Sequence, residues 1–167
     1  MKATLIVEGK EFPIEINDPE LQKLIAPPKK TGYERVADGY AYYFANSFNN
    51  IMAMNDEGDD ADIRYKNGNY YSSAAVAENN ARADKLMRQL RRFAVEHREK
   101  DIDWSSSKHA KWVICYDYEN AFIKTFPHYS ERYPFALFFD SRESAELAIE
   151  LFHDELIWYF TEYKDSL

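Results

Sequence analysis

The sequence predicts an α+β fold: antiparallel strands with two long helices, built as an internal duplication of a strand-strand-strand-helix unit and preceded by a small ββα unit. Three observations carry this expectation. Short aromatic and β-branched runs alternate with two long amphipathic helix patterns. The stretch "GNYYSSAAVAENNARADKL" is echoed 68 residues later by "ALFFDSRESAELAIELFHDEL", each a pair of aromatics, a hydroxyl-bearing cap and a helix pattern with Ala-Glu. Prolines and glycines punctuate the chain at the expected boundaries.

"ATLIVEGKEFPIEI" reads as two strands turned at Gly9-Lys10, because glycine accepts the positive φ of a two-residue hairpin. In "NDPELQKLIAPP", Asp18 is placed to cap a helix with Pro19 at its first position, and Pro27 and Pro28 stop it. "PPKKTG" is the linker, so the ββα unit spans residues 1–28 and the main domain residues 29–167.

In the main domain, "YAYYFA" and "IMAMND" are predicted strands joined by "NSFNN". An acidic loop "NDEGDDAD" then leads to a strand "IRYKNGNYY" and a helix. The order repeats as "KWVICYDY", turn "EN", "AFIKTF", an irregular "PHYSERYP", "FALFF" and a helix from Ser141 to about Tyr163. The half-repeats cover about residues 40–100 and 108–165; Asn50 aligns with Asn120 at an offset of 70 and Tyr70-Tyr71 with Phe138-Phe139 at 68. Ser72 or Ser73 is placed to cap the first helix, and Asp140 to cap the second with Glu143 closing a capping box. Ala77 and Ala145 stand at matching positions where a small residue lets a helix approach a sheet closely. Two such units can share a core that one cannot build alone.

Aromatics make up 16% of residues within a hydrophobic total of 46%, so the core must use Tyr and Phe heavily, and some of the 13 Tyr must reach the surface. The single cysteine, Cys115, excludes an internal disulfide and reads as a buried strand position, where an apolar setting disfavours the thiolate. A cytoplasmic setting is expected, because the first residues lack the apolar core of a secretion signal and no run is long enough to span a bilayer.

Net charge is −8, which opposes attraction to nucleic acid and favours basic partners. Ser73 to Lys100 holds seven basic against four acidic residues, a local +3 that leaves −11 for the rest of the chain. The cations Arg82, Lys85, Arg88 and Arg92 fall on one helix face opposite the apolar stripe Ala83, Leu86, Met87, Leu90, Phe93 and Ala94. Such a face can meet phosphates, a protein partner, or carboxylates of the same chain. Tyr42, Tyr43 and Phe44 are consecutive on one strand, so only alternate members share a face and a three-base stacking platform is not expected.

Asp56, Glu57, Asp59, Asp60 and Asp62 form the densest acidic cluster. It departs from the calcium-loop template, with its glycine misplaced and Lys66 where a closing Glu is wanted. Three readings stay open: a metal loop, a solvated acidic loop, and a contact surface for a basic partner. No metal or cofactor is expected. His97, His109, His128 and His153 lack ligand spacing, and the five isolated glycines build no phosphate loop. No catalytic seat is identifiable, so a non-enzymatic role is expected. Trp104, in "DIDWSSSKHAKW", is either a contact residue or a plug at the seam between the halves.

"KKTGYERV" (Lys29 to Val36), "YYF" (Tyr42 to Phe44), "GNYY" (Gly68 to Tyr71) and "IDW" (Ile102 to Trp104) resemble a family of short proteins encoded by phages, prophages and other bacterial mobile elements. The resemblance covers residues 29–167. Some members are grouped with anti-CRISPR inhibitors of Cas9, which implies a host-defence antagonist whose partner is a nuclease or nuclease-RNA complex. Where similar proteins often carry a glycine in the first hairpin turn, this chain has Asn49-Asn50. An acidic protein would be drawn electrostatically to the basic nucleic-acid channel of such a nuclease. The alternative expectation is a nucleic-acid-associated accessory protein using the Arg82, Lys85, Arg88, Arg92 face.

Overall fold

The computed structural model describes residues 2–25, 30–134 and 136–164, with residues 5–7 and 23–25 described by their backbone alone. The chain divides into two compact units, Met1–Thr31 and Gly32–Leu167. The helix stop assigned to Pro27 and Pro28 lies outside the described residues, as does the first half of the linker.

In the first unit, β1 (Lys2–Val7) pairs antiparallel with β2 (Lys10–Glu15), and α1 (Pro19–Ile25) follows. The turn is Glu8-Gly9 rather than Gly9-Lys10: both residues take positive φ, 49° and 79°, and Lys10 already pairs with Val7. That conformation matches the twist of the flanking strands, and Glu8 accepts the strain so that Lys10 can join the ladder. Asp18 caps α1 as expected, its Oδ1 accepting from the Glu20 N–H at 2.8 Å.

The second unit is α+β, with the predicted hairpins in place. β3 (Ala41–Ala45) pairs with β4 (Ile51–Asn55), and β5 (Lys111–Asp117) pairs with β6 (Phe122–His128), both antiparallel. Each sheet has two strands. Asn49 takes φ 67° in the β3–β4 turn, a conformation that asparagine tolerates better than most side chains. The third strand of each predicted unit shrinks to a single bridge: Tyr71 exchanges backbone bonds with Tyr43 (2.8 and 2.9 Å), and Phe139 with Trp112 (2.9 and 2.8 Å).

The largest correction lies between β4 and Tyr71. Residues expected to form an acidic loop and a strand form the helix α2 (Asp59–Lys66). Its charges suit the helix dipole, with Asp59, Asp60 and Asp62 in the first turn and Arg64 and Lys66 in the last. Ala61, which is fully buried, seats it against Tyr42, Phe44 and Tyr70.

The long helix α3 (Ala74–Glu96) buries Ala83, Leu86, Leu90, Phe93 and Ala94 as its apolar stripe requires. Its cap is Ser73. The second predicted helix is broken into α4 (Arg142–Leu151) and α5 (His153–Thr161), so only one long helix exists among the described residues. The break at Phe152 keeps the Phe152 N–H to Ala148 and the Leu156 N–H to Phe152 bonds, while placing the Phe152 ring edge-on against Phe93 at 5.8 Å. Ser141, not Asp140, is the cap, accepting from the Ser144 N–H at 3.1 Å, so the box with Glu143 does not form. Asp140 is instead turned inward, its Oδ2 accepting from the backbone N–H groups of Glu99 and Lys100.

The core has two regions. One joins α3, α4 and α5 to the β5–β6 hairpin around Leu86, Leu90, Phe93, Phe139, Ala145, Ala148 and Leu156. The other packs α2 and the start of α3 on opposite faces of the β3–β4 hairpin. Ala77 and Ala145 are both fully buried, and each donates its N–H to the carbonyl of the capping serine four residues earlier.

Candidate partner-binding site

The five acidic residues picked out by sequence divide into two kinds. Asp56 is buried. It receives two hydrogen bonds from Arg35, Nε to Oδ2 and Nη2 to Oδ1, both 2.9 Å, and a third from the Tyr70 hydroxyl at 2.9 Å. The guanidinium holds the Asp56 carboxyl below its ordinary range against the opposing effect of desolvation, with Tyr70 adding to the depression. Arg35 is correspondingly raised, first by Asp56 and then by Asp62, which it also ion-pairs. Burial, with the Asp56 charge adding to it, pushes Tyr70 up to about 12. Asp56 is therefore an internal anchor and cannot be a contact residue, and Asp62 is tied to the same arginine.

Glu57, Asp59 and Asp60 remain exposed at the start of α2. The Asp60 carboxylate lies 3.8 Å from Arg64, one turn on, with its side chain 72% exposed, and Arg64 Nη1 donates to the Asp60 carbonyl at 3.3 Å. Gly58 (φ 74°) turns the chain into the helix there, and no side chain caps its N-terminus. Local geometry thus presents three carboxylates at one helix end while two others are drawn inward.

Arg35 was missed by sequence reasoning, although it sits inside the "TGYERV" stretch on which the resemblance rests. That stretch and "GNYYSS" clasp one another. The Ser72 N–H donates to the Gly32 carbonyl at 2.7 Å, the Ser72 hydroxyl donates to Glu34 Oε2 at 3.0 Å, and the Val36 N–H donates to the Tyr70 hydroxyl at 3.0 Å. Tyr33 packs on Tyr71 with ring centroids 5.4 Å apart. Asn69 acts as a substitute strand, its amide bonding both the N–H and the carbonyl of Ala45. The signal available in sequence was one basic residue in a short polar segment, without the partner that only the fold supplies.

The basic face of α3 is partly consumed within the protein. Arg82 donates two bonds to Glu155 (2.8 and 3.2 Å) and lies 3.9 Å over the Trp158 ring. Arg92 pairs loosely with Glu96 at 3.7 Å, and Arg88 donates to the neutral Asn49 Oδ1 at 2.6 Å. Arg82 and Lys85 line a groove of about 760 Å³ together with Glu78, Glu150, Asp154 and Glu155, so the groove carries more acid than base.

Trp104 sits edge-on against Phe138 at 4.9 Å, with the Arg132 guanidinium 4.9 Å from its ring. These neighbours, with Lys111 beside them, all belong to the second half-repeat. Glu57 and the aspartates of α2 belong to the first, and no contact joins Trp104 to them among the described residues. Among the described residues, no group of three or more His, Cys, Asp or Glu side chains is placed to hold a metal ion. No helix is long and apolar enough to cross a membrane.

No protein-family model, curated protein or solved structure matches the chain.

Proposed function

We propose that the chain is a non-enzymatic binding protein that engages a basic protein surface, with a host-defence nuclease of the Cas9 type as the partner class. The observation that carries this reading is the exposed carboxylate group of Glu57, just before α2, with Asp59 and Asp60 on its first turn. Their repulsion is relieved by the helix dipole, so the negative patch is held in place at little cost to the fold. A charged patch of this kind mainly accelerates encounter with an oppositely charged surface.

The test is the association rate of the protein with a purified guide-loaded nuclease, measured at several salt concentrations, for wild type and the Glu57→Gln/Asp59→Asn/Asp60→Asn triple variant. Asp56 and Asp62 are left intact because they hold Arg35. The expected result is association slowed about tenfold at low salt, with the difference shrinking as salt rises. A triple variant that binds as fast as wild type at low salt overturns the assignment of the patch. Wild-type protein that leaves a panel of such nucleases unbound and fully active overturns the partner class.

A further inference from the structure

The two edges of the β3–β4 hairpin are treated differently. The outer edge of β3 is closed: Tyr43 exchanges backbone bonds with Tyr71, and Ala45 with the Asn69 amide. The outer edge of β4 has no strand partner among the described residues. Hydrogen bonding alternates along an antiparallel pair, so residues facing Tyr43 and Ala45 in the register also turn their N–H and carbonyl groups away from β3. With Ala45 opposite Ile51, Tyr43 opposite Ala53 and Ala41 opposite Asn55, the outward groups belong to Ile51, Ala53 and Asn55, of which the Asn55 carbonyl already accepts from the Glu57 N–H at 2.9 Å. Ile51 is partly buried against Tyr71, Val76 and Ala77, whereas Met52, Ala53, Met54 and Asn55 are all exposed, and because consecutive strand residues point to opposite faces, this stretch keeps exposed side chains on both.

Edges of this kind are commonly blunted by charge or proline. β6 carries both, Lys124 and Pro127, whereas β4 reads Ile-Met-Ala-Met-Asn and carries neither.

We propose that β4 is a self-association edge, pairing antiparallel with β4 of a second copy about a twofold axis at Ala53 to give a four-stranded sheet. The inference does not rest on the function proposed above. The sequence is self-complementary about that axis. Ala53 meets its own copy, the smallest side chain of the strand at the crossing. Met52 and Met54 meet one another across the interface in closely spaced non-hydrogen-bonded pairs, and Ile51 faces Asn55.

Charge supports the same arrangement. α2 starts beside the Asn55 end of β4 and runs back toward the hairpin tip, where Asn69 reaches Ala45 and the Arg64 guanidinium lies 4.1 Å over Phe44. A twofold about Ala53 keeps both copies of α2 on one face of the joined sheet and antiparallel. The acidic first turn of each (Asp59, Asp60) then lies toward the basic last turn of the other (Arg64, Lys66), with opposed helix dipoles.

The experiment is sedimentation equilibrium of the full chain up to about 0.3 mM, combined with cysteine cross-linking in a Cys115→Ser background. A concentration-dependent dimer is expected. Met52→Lys/Met54→Lys, which places like charges opposite one another at exposed positions, is expected to weaken it about tenfold or more with an unchanged far-UV spectrum. In the cross-linking arm, Ala53→Cys is expected to oxidise to a disulfide dimer, since directly paired Cα atoms about 5.5 Å apart suit that bond. Asn55→Cys, two residues from the axis and so separated from its copy by about 13 Å, is expected to resist it. Wild type that is monomeric throughout overturns the proposal, as does a dimer that crosslinks at residue 55 in preference to 53. Monomeric protein whose β4 amides gain exchange protection only on addition of a basic polypeptide assigns the edge to a partner strand and likewise overturns it.

Discussion

Gly32 offers the sharpest test of how the "TGYERV" strap is held. Its φ is +90°, and a Cβ built there would lie 2.5 Å from Val76 Cγ2 and 3.0 Å from Val76 Cβ. Val76 is buried in the first turn of α3 and cannot swing away as a flexible side-chain end would. Gly32→Ala therefore meets two costs, about 1–2 kcal/mol for the left-handed backbone and about 1–3 kcal/mol for overpacking, or about 2–5 kcal/mol together. Val76→Ala alone should cost about 2–3 kcal/mol through lost burial and the cavity it leaves. In the double variant the new methyl enters the space vacated by valine. The clash with the two Cγ atoms is then removed, while the 3.0 Å approach to the retained Cβ and the backbone part stay, and the double-mutant cycle should show a coupling of about 1–2 kcal/mol in the relieving direction. Urea unfolding followed by tryptophan fluorescence reads this unit alone, because Trp104, Trp112 and Trp158 all lie in it. Gly32→Ala within about 0.5 kcal/mol of wild type, or a strictly additive cycle, would refute the reasoning.

Four further outcomes are expected. Ser73→Ala and Ser141→Ala should each cost about 1 kcal/mol in chemical denaturation, whereas Glu143→Ala should leave the α4 cap intact. Asp117, held at about 2 by its bond from Lys124 and then by Asn120, has its pKa depressed from 3.8, so its stabilisation is complete above the ordinary carboxylate range. The advantage of wild type over Asp117→Asn should accordingly fade as pH drops from about 4 toward 2 in pH-dependent melting, and an advantage that grows on acidification contradicts the sign. Arg35→Met should destabilise more than removal of the exposed Arg91, and pairing it with Asp56→Asn should recover part of the loss by removing the stranded buried charge, as read from thermal melts. If the α3 face binds nucleic acid, duplex affinity measured by fluorescence anisotropy should fall steeply with salt and fall again in Arg88→Glu/Arg92→Glu; no binding at low ionic strength by folded protein eliminates that reading.

Local pattern was most informative where one residue type has one structural use. Asp18 before Pro19, the apolar stripe of α3 and the alternation in β3 each point to an element without help from distant residues. It failed over 55–71. Five acids in seven positions suggest a solvated loop when read locally, yet three of them suit the first turn of a helix whose seat, Tyr42 with Phe44 and Tyr70, is assembled from two distant segments. Asp140 and Ser141 were both competent caps, and what chose between them was the demand of the Glu99 and Lys100 N–H groups for an acceptor, a tertiary fact. In the candidate site, the acidic cluster was legible as a group. Its division into anchors and exposed carboxylates was not, because it depends on where Arg35 lies.

The repeated element that drew attention in the sequence has the same geometry in both places: an aromatic bridging the first strand of the preceding hairpin, a serine cap two residues on, and a fully buried alanine four residues after the cap. The chemistry attached to it differs. The first copy uses Tyr70, whose hydroxyl joins Val36 to Asp56, and so the polar strap from Gly32 to Val36 can close over it. The second uses Phe138, which has no hydroxyl and takes Trp104 on its edge instead. Between hairpin and bridge, the first copy carries α2 while the second carries an irregular stretch. The two halves thus share this local geometry and differ in what is attached to it. The half that carries α2 also carries the strand edge without charge or proline, so both surfaces proposed above fall on the first half-repeat, whereas Trp104 packs against Phe138 of the second.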